Sequence, residues 1–262
     1  MNLLKLFTER NAFSREYGTW LIVLFNLILV PILLQKFTAT IMIFWLSILF
    51  FLMFRFELID LISTDIQFSR KNKVIKSVIY LFISVTLFCV LLLNSLIDFK
   101  IAFLVSIIGI AMLLLNIATR RRKGKRQHII AQIILVCFIA FLGALNYFFL
   151  TGCFDKTFFT IFLISSIFYS NSVLFVRSKT LGSPYDIYAL LFSILSISLF
   201  GILITLNIYQ IEAVIILIPT FVKTLDNVIL TNIKVPLRRI GINETIHCII
   251  FIGIFWILKN HF

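Results

Sequence analysis

Three carboxylates, Glu57, Asp60 and Asp65, follow an apolar run and stand among the cations Arg55, Arg70 and Lys71. At 100° per residue they cover one broad face of a helix extending into the cytosol. Carboxylates grouped this way hold Mg²⁺, which in turn binds diphosphate; the same spacing equally suits a solvated interfacial helix. A Mg²⁺–diphosphate site also needs carboxylates from elsewhere, and the nearest source is segment 177–186. There Ser183, Pro184 and Asp186 read as the start of a helix: cap, first helical residue and first-turn acid. Glu244 and His247 stand one turn apart near the start of the last apolar run. An ionisable residue inside a membrane span is a functional-site hypothesis by default. An acid after Asn243 is also favourable at a helix N-terminus, and the pair can bond each other or Arg239. Two groups fall short of the three or four ligands that zinc needs.

The elements that must position these residues are set by composition. Hydrophobic residues make up 61% of the 262 and charged residues 13%, where a soluble domain is near half apolar and a quarter charged. A water-soluble fold has too little polar surface here to cover such a core. No polar linker divides the chain, so residues 1–262 read as one transmembrane domain, with 1–18 a cytosolic or interfacial leader to the first span. The first apolar run follows Arg10 and Arg15 without an A-x-A site after it and reads as uncleaved. The net charge of +13 raises the question of nucleic acid, but the cations sit in short runs between apolar segments. The run at 120–126 fixes orientation and meets anionic headgroups, and no nucleic-acid partner is expected. Cys89, Cys137, Cys153 and Cys248 lack C-x-x-C spacing and read as small hydrophobes.

A spanning helix needs about 20 mostly apolar residues. The chain offers nine such segments, at 19–34, 38–54, 77–96, 101–118, 129–150, 157–176, 185–206, 208–222 and 243–258, the eighth carrying Glu212 and Pro219. On this map only Lys36, Lys100, Lys156 and Lys259 of the 24 Lys and Arg residues fall on one side. Alternation of that kind is what the positive-inside rule expects, giving N-terminus in and C-terminus out. Without the eighth span, Arg238 and Arg239 would move outside. Segment 223–234 places Val222, Leu225, Val228, Ile229 and Ile233 on one side, with Lys223, Asp226 and Asn227 elsewhere, suiting a helix in the inner interface. Asn26, Asn94, Asn116, Asn146 and Asn171 are expected to bond between helices, and Pro31 and Pro219 to kink theirs.

The start of the first span reads Arg15-Glu16-Tyr17-Gly18-Thr19-Trp20, with Pro31 eleven residues after Trp20. This resembles the opening signature of the bacterial YwiC-like membrane protein family, Glu-His-Gly-Ala-Trp followed by a proline, with Tyr17 and Thr19 replacing its His and Ala. Arg55 at the end of the second span, Asn171 to Arg177 at the end of the sixth, and Arg238-Arg239-Ile240-Gly241 with Glu244 and His247 at the ninth extend the resemblance along the chain. It implies no reaction. The plan of nine helices is similar to that of UbiA-type intramembrane prenyltransferases, which bind a prenyl diphosphate through two cytosolic Asp-rich motifs. Glu57, Asp60 and Asp65 lie where the first would be and 177–186 where the second would be, without matching either pattern.

The expectation is therefore an all-α, polytopic helical bundle of the bacterial inner membrane, UbiA-like in plan. Arg15, Glu16, Trp20, Arg55, Arg70, Asn171, Arg177, Arg239, Glu244 and His247 gather toward the cytosolic ends of its spans. Such a ring suits a pocket for an anionic lipid or isoprenoid held by charge-assisted hydrogen bonds; helix anchoring at the interface explains the same residues. A Mg²⁺-dependent prenyltransferase and a small-solute transporter stand as alternatives. The partners expected are membrane lipids, and Mg²⁺ is the cofactor only in the prenyltransferase case.

Overall fold

The computed structural model describes residues 17–63, 67–93, 99–121, 125–206, 208, 215–229 and 237–258. Among these, all regular secondary structure is helical: α1 (Tyr17–Leu34), α2 (Ala39–Ser63), α3 (Gln67–Leu93), α4 (Phe99–Arg121), α5 (Lys125–Thr151), α6 (Lys156–Leu181), α7 (Tyr185–Thr205), α8 (Ile218–Ile229) and α9 (Leu237–Ile257). Long runs of Leu, Ile and Phe satisfy their own backbone only as helices when water is absent. Six of these helices, α2, α3, α5, α6, α7 and α9, are long and apolar enough to cross a membrane. Shorter apolar stretches lie in α1 (Ile22–Leu34) and α4 (Phe99–Leu115).

The eighth expected span is where helix and sequence reading part. A turn at 216–217, just after the helical residue 215, precedes α8, and α8 has 12 residues, about 18 Å against a hydrocarbon core of about 30 Å. Pro219 does not kink α8. It occupies the first turn of α8, where its missing N–H costs nothing, and the Leu217 carbonyl accepts from Thr220 N at 2.9 Å and Phe221 N at 3.1 Å. In α1, by contrast, the helix runs on through Pro31.

The chain forms two compact units. One contains residues 1–20 and 36–131. Its centre is the antiparallel pair α2–α3, in which Ser47 and Ser84 exchange hydrogen bonds: Ser47 Oγ donates to the Ser84 carbonyl at 3.0 Å and Ser84 Oγ to the Ser47 carbonyl at 2.9 Å. Small serines bring the backbones close enough for this. One turn along, the Phe50 and Tyr80 rings meet at 6.2 Å.

The other unit contains residues 21–35 and 132–262. Here α1 lies against α5 so closely that a Cβ on Gly143 would come within 2.9 Å of the Asn26 carbonyl oxygen. Asn146 Nδ2 donates to the Leu27 carbonyl across the same seam at 3.3 Å, the inter-helix role expected of it. Asn26 instead bonds its own helix, at Ile22 O. The turn from α5 to α6 uses Gly152 at φ 75°, the left-handed residue that ends a helix. Asp155 then caps α6 through Phe158 N at 3.1 Å and accepts from Tyr147 Oη at 2.7 Å. The spanning stretch of α6 is 72% buried, against 22% in α7 and 28% in α9. Hence α6 is the axis of this unit, with α7, α8 and α9 packed on it. The outer faces of α7 and α9 expose Ile194, Leu195 and Ile202, and Ile246, Ile249 and Trp256.

Candidate functional site

The axis helix carries an uncommon sequence for a core: Ser165-Ser166 and Ser170-Asn171-Ser172, all buried. Asn171 and Ser172 supply hydrogen-bond partners for α8, while Ser170 Oγ lies 3.9 Å from Cys137 Sγ of α5. The partner that Ser172 receives is Lys223. Its side chain is 1% exposed, and its Nζ donates to Ser172 Oγ at 2.7 Å and to Glu244 Oε2 of α9 at 2.9 Å. Ser172 Oγ passes its own proton to the Phe168 carbonyl at 3.2 Å. The Phe168 ring lies 4.3 Å from Nζ, a cation–π contact strengthened by the absence of water, and is fixed by stacking on Phe251 at 4.0 Å. Taking an ammonium and a carboxylate out of water costs several kcal/mol per ion, recovered only with good geometry and further hydrogen bonds. Lys223 has both.

Beside the ion pair runs a neutral network. Asn171 Nδ2 donates to the Thr220 carbonyl at 3.0 Å and to Thr224 Oγ1 at 3.1 Å. Thr224 Oγ1 donates to the Thr220 carbonyl at 3.1 Å, so Ser193 of α7 is the donor in its 2.6 Å contact with Thr224. Four helices, α6, α7, α8 and α9, thus meet through polar atoms inside an apolar unit. The centre offers more polar atoms than it consumes. Glu244 Oε1, Asn171 Oδ1, Tyr169 Oη and Thr220 Oγ1 are buried with no hydrogen-bond partner among the described residues. Unmatched buried polar groups are expensive, and each calls for a physical reason, a bound group, an ordered water or a functional role among them.

Depth follows from helix rise. Ser172 precedes Arg177 by five residues on α6, and Glu244 follows Arg239 by five on α9, about 7.5 Å in each case. The ion pair therefore sits the same distance inward from a cation on both helices. Arg239 is exposed, while Arg177 Nε donates to Gln132 Oε1 of α5 at 3.1 Å.

Of the residues singled out from sequence, this unit holds Asn171, Arg177, Arg239, Glu244 and His247. Glu244 and His247 do not act as a pair: Glu244 turns to Lys223, and His247 Nδ1 donates to the Asn243 carbonyl at 2.7 Å. Arg55 and Glu57 belong to the other unit, both buried on α2, with the Arg55 guanidinium 4.8 Å from the centre of the Phe56 ring. Asp60 and Arg70 lie on α2 and α3, and Trp20 in the first turn of α1. Arg15, Glu16, Asp65, Ser183 and Pro184 lie outside the described residues. Among the described residues no three His, Cys, Asp or Glu side chains group as metal ligands.

Sequence reasoning missed Lys223, Ser172, Thr220 and Thr224. Lys223 was counted with the cations of an inner loop and its helix placed in the interface. The apolar side does face outward, with Ile218, Val222 and Leu225 exposed, but Thr220, Lys223 and Thr224 face the protein. The signal that could have found them is a polar stripe at 220, 223 and 224, on the side of the helix away from its apolar residues. Comparison of the chain with protein-family models, curated proteins and solved structures finds no match.

Proposed function

We propose that the chain is a multi-pass protein of the bacterial inner membrane, of YwiC-like type, that holds the anionic group of a membrane lipid or isoprenoid at a cytosol-facing centre. The observation that carries this reading is Lys223, fully enclosed yet charged-paired, with unused hydroxyls and amide oxygen around it. Intramembrane ionisable residues mark binding and transport sites because their cost is otherwise unrewarded. Arg177 and Arg239, a turn and a half outward, supply the basic approach that an anionic headgroup favours.

In this reading the chain makes nine crossings, N-terminus in and C-terminus out, on a UbiA-like plan. Support comes from the alternation of Lys and Arg along the sequence. The eighth crossing runs through 208–222, and α8, which begins within it, is a short helix tolerated at membrane depth because it packs on α6, α7 and α9.

Lipid mass spectrometry of the purified protein tests the proposal. An anionic lipid or isoprenoid phosphate enriched over the bulk membrane, and depleted in Arg177→Ala and in Lys223→Met/Glu244→Gln, is the expected result. An identical lipid profile in parent and variants would overturn it.

One feature favours a second reading, a small-solute transporter. Helices interrupted beside a buried charge are how transporters build substrate sites, and α8, begun by a turn and Pro219, is such an element next to Lys223. Uptake of a solute into proteoliposomes, lost in Lys223→Met/Glu244→Gln, would favour it over lipid retention.

A further inference from the structure

The two oxygens of Glu244 have different surroundings. Oε2 accepts from Lys223 Nζ at 2.9 Å, whereas Oε1 is buried and has no hydrogen-bond partner among the described residues. Lys223, in turn, does not depend on Glu244 alone. Ser172 Oγ at 2.7 Å and the Phe168 ring at 4.3 Å hold the ammonium where it is. The pair is electrically closed as it stands. An anion brought to Lys223 would meet the Glu244 carboxylate at close range and leave uncompensated negative charge among apolar helices, which low dielectric makes prohibitive.

We propose that an anion reaches Lys223 only as Glu244 takes up a proton, so that the centre binds one anion and one proton together. This rests on the reading of the centre as an anion site. The proton comes from the aqueous phase and is placed on Oε1, the oxygen not engaged by Lys223. Neutralised, Glu244 releases its claim on the ammonium, whose charge the ligand then balances, and the total charge of the centre is unchanged. The hydroxyls of Thr220, one turn before Lys223 on α8, and of Tyr169, one turn before Ser172 on α6, are donors without a partner among the described residues and are suited to the ligand's oxygens.

Among the described side chains, the titratable groups around Glu244 are few. The elements packed on α9 are α6 and α8. Among the described side chains α8 brings Lys223, and α6 brings Tyr169 with Arg177 and Lys179 toward its end. On α9 itself Arg239, His247 and Cys248 are the neighbours, and the Cys248 thiol lies within electrostatic range of both Lys223 and Glu244. Glu244 is the only carboxylate among them.

The test uses the full-length protein in detergent and dihexanoyl phosphatidylglycerol, a phosphodiester whose charge does not change near neutral pH. Titration calorimetry in buffers of different ionisation enthalpy counts protons. The expected result is uptake of about one proton per lipid, with affinity falling about tenfold per pH unit as pH rises. Glu244→Gln, which keeps the side-chain shape, is expected to bind with no proton uptake and a flat pH profile. Lys223→Met/Glu244→Gln, free of buried charge, is expected to lose binding while remaining folded. Binding by the parent without proton uptake, or equal uptake by Glu244→Gln, overturns the coupling and leaves the anion site standing. Failure of the parent to bind the lipid overturns the anion site itself.

Discussion

Lys223 and Glu244 lie 21 residues apart in sequence and join α8 to α9 through a 2.9 Å ion pair that is almost wholly enclosed. Neither helix presents a sufficient polar partner of its own, so each charge is tolerable only because the other is there. The pair therefore ties the placement of a short helix to that of a long one.

Removing one partner is predicted to be far worse than removing both. Lys223→Met strands a buried carboxylate and should cost ~3–5 kcal/mol, while Lys223→Met/Glu244→Leu should be near neutral or stabilising. Reversible unfolding in mixed detergent micelles measures both; equal losses in the single and double variants would show that the pair is not charged.

Gly143 is predicted to reject even a methyl group. Alanine would gain ~0.8–1.0 kcal/mol of helix propensity, but its Cβ would stand 2.9 Å from a backbone oxygen, at Asn26, that cannot rotate away. Overpacking of that kind costs typically ~1–3 kcal/mol, so the net change is a loss. A Gly143→Ala protein as stable as the parent would mean that α1 and α5 are further apart than described.

Ser47 and Ser84 each donate to the other's backbone carbonyl, an acceptor that alanine leaves in place. Each alanine substitution should therefore cost of the order of 0.6 kcal/mol, the average for hydrogen bonds between membrane helices, and the two losses should roughly add. A double-mutant cycle checks this; no loss in either single variant would rule out the exchange.

Cys153 is exposed in the turn between α5 and α6, and the proposed nine-crossing map puts that turn outside. A membrane-impermeant maleimide should therefore modify Cys153 in intact spheroplasts. A cysteine at Lys123, in the basic run before α5, should react only after lysis. Modification of both from the same side would dismantle the nine-crossing map.

Much of the helical layout was legible in advance because long apolar runs can satisfy their backbone in one way only. The seventh segment was placed at 185–206 and the helix is Tyr185–Thr205; the fifth at 129–150 and the helix is Lys125–Thr151. Pro219, expected to kink the eighth segment, stands instead in the first turn of α8; a proline reads alike as a kink within a helix and as the first turn of a new one. Choosing between them requires knowing that Leu217 already accepts the first amide bonds. The site was half legible. Asn171, Glu244 and Arg177 stand out as polar residues among apolar ones, but the sequence offers Glu244 only its neighbours along the helix, His247 and Arg239, and not a lysine on another.

The amino-acid sequence by itself determined that this chain forms apolar helices bordered by cations, because periodicity and charge are properties of each segment alone. Which way the stripe of Thr220, Lys223 and Thr224 faces was decided only by tertiary structure. A helix with one polar side has the same sequence whether that side meets water or a buried carboxylate, and the difference lies in what α6 and α9 place beside it.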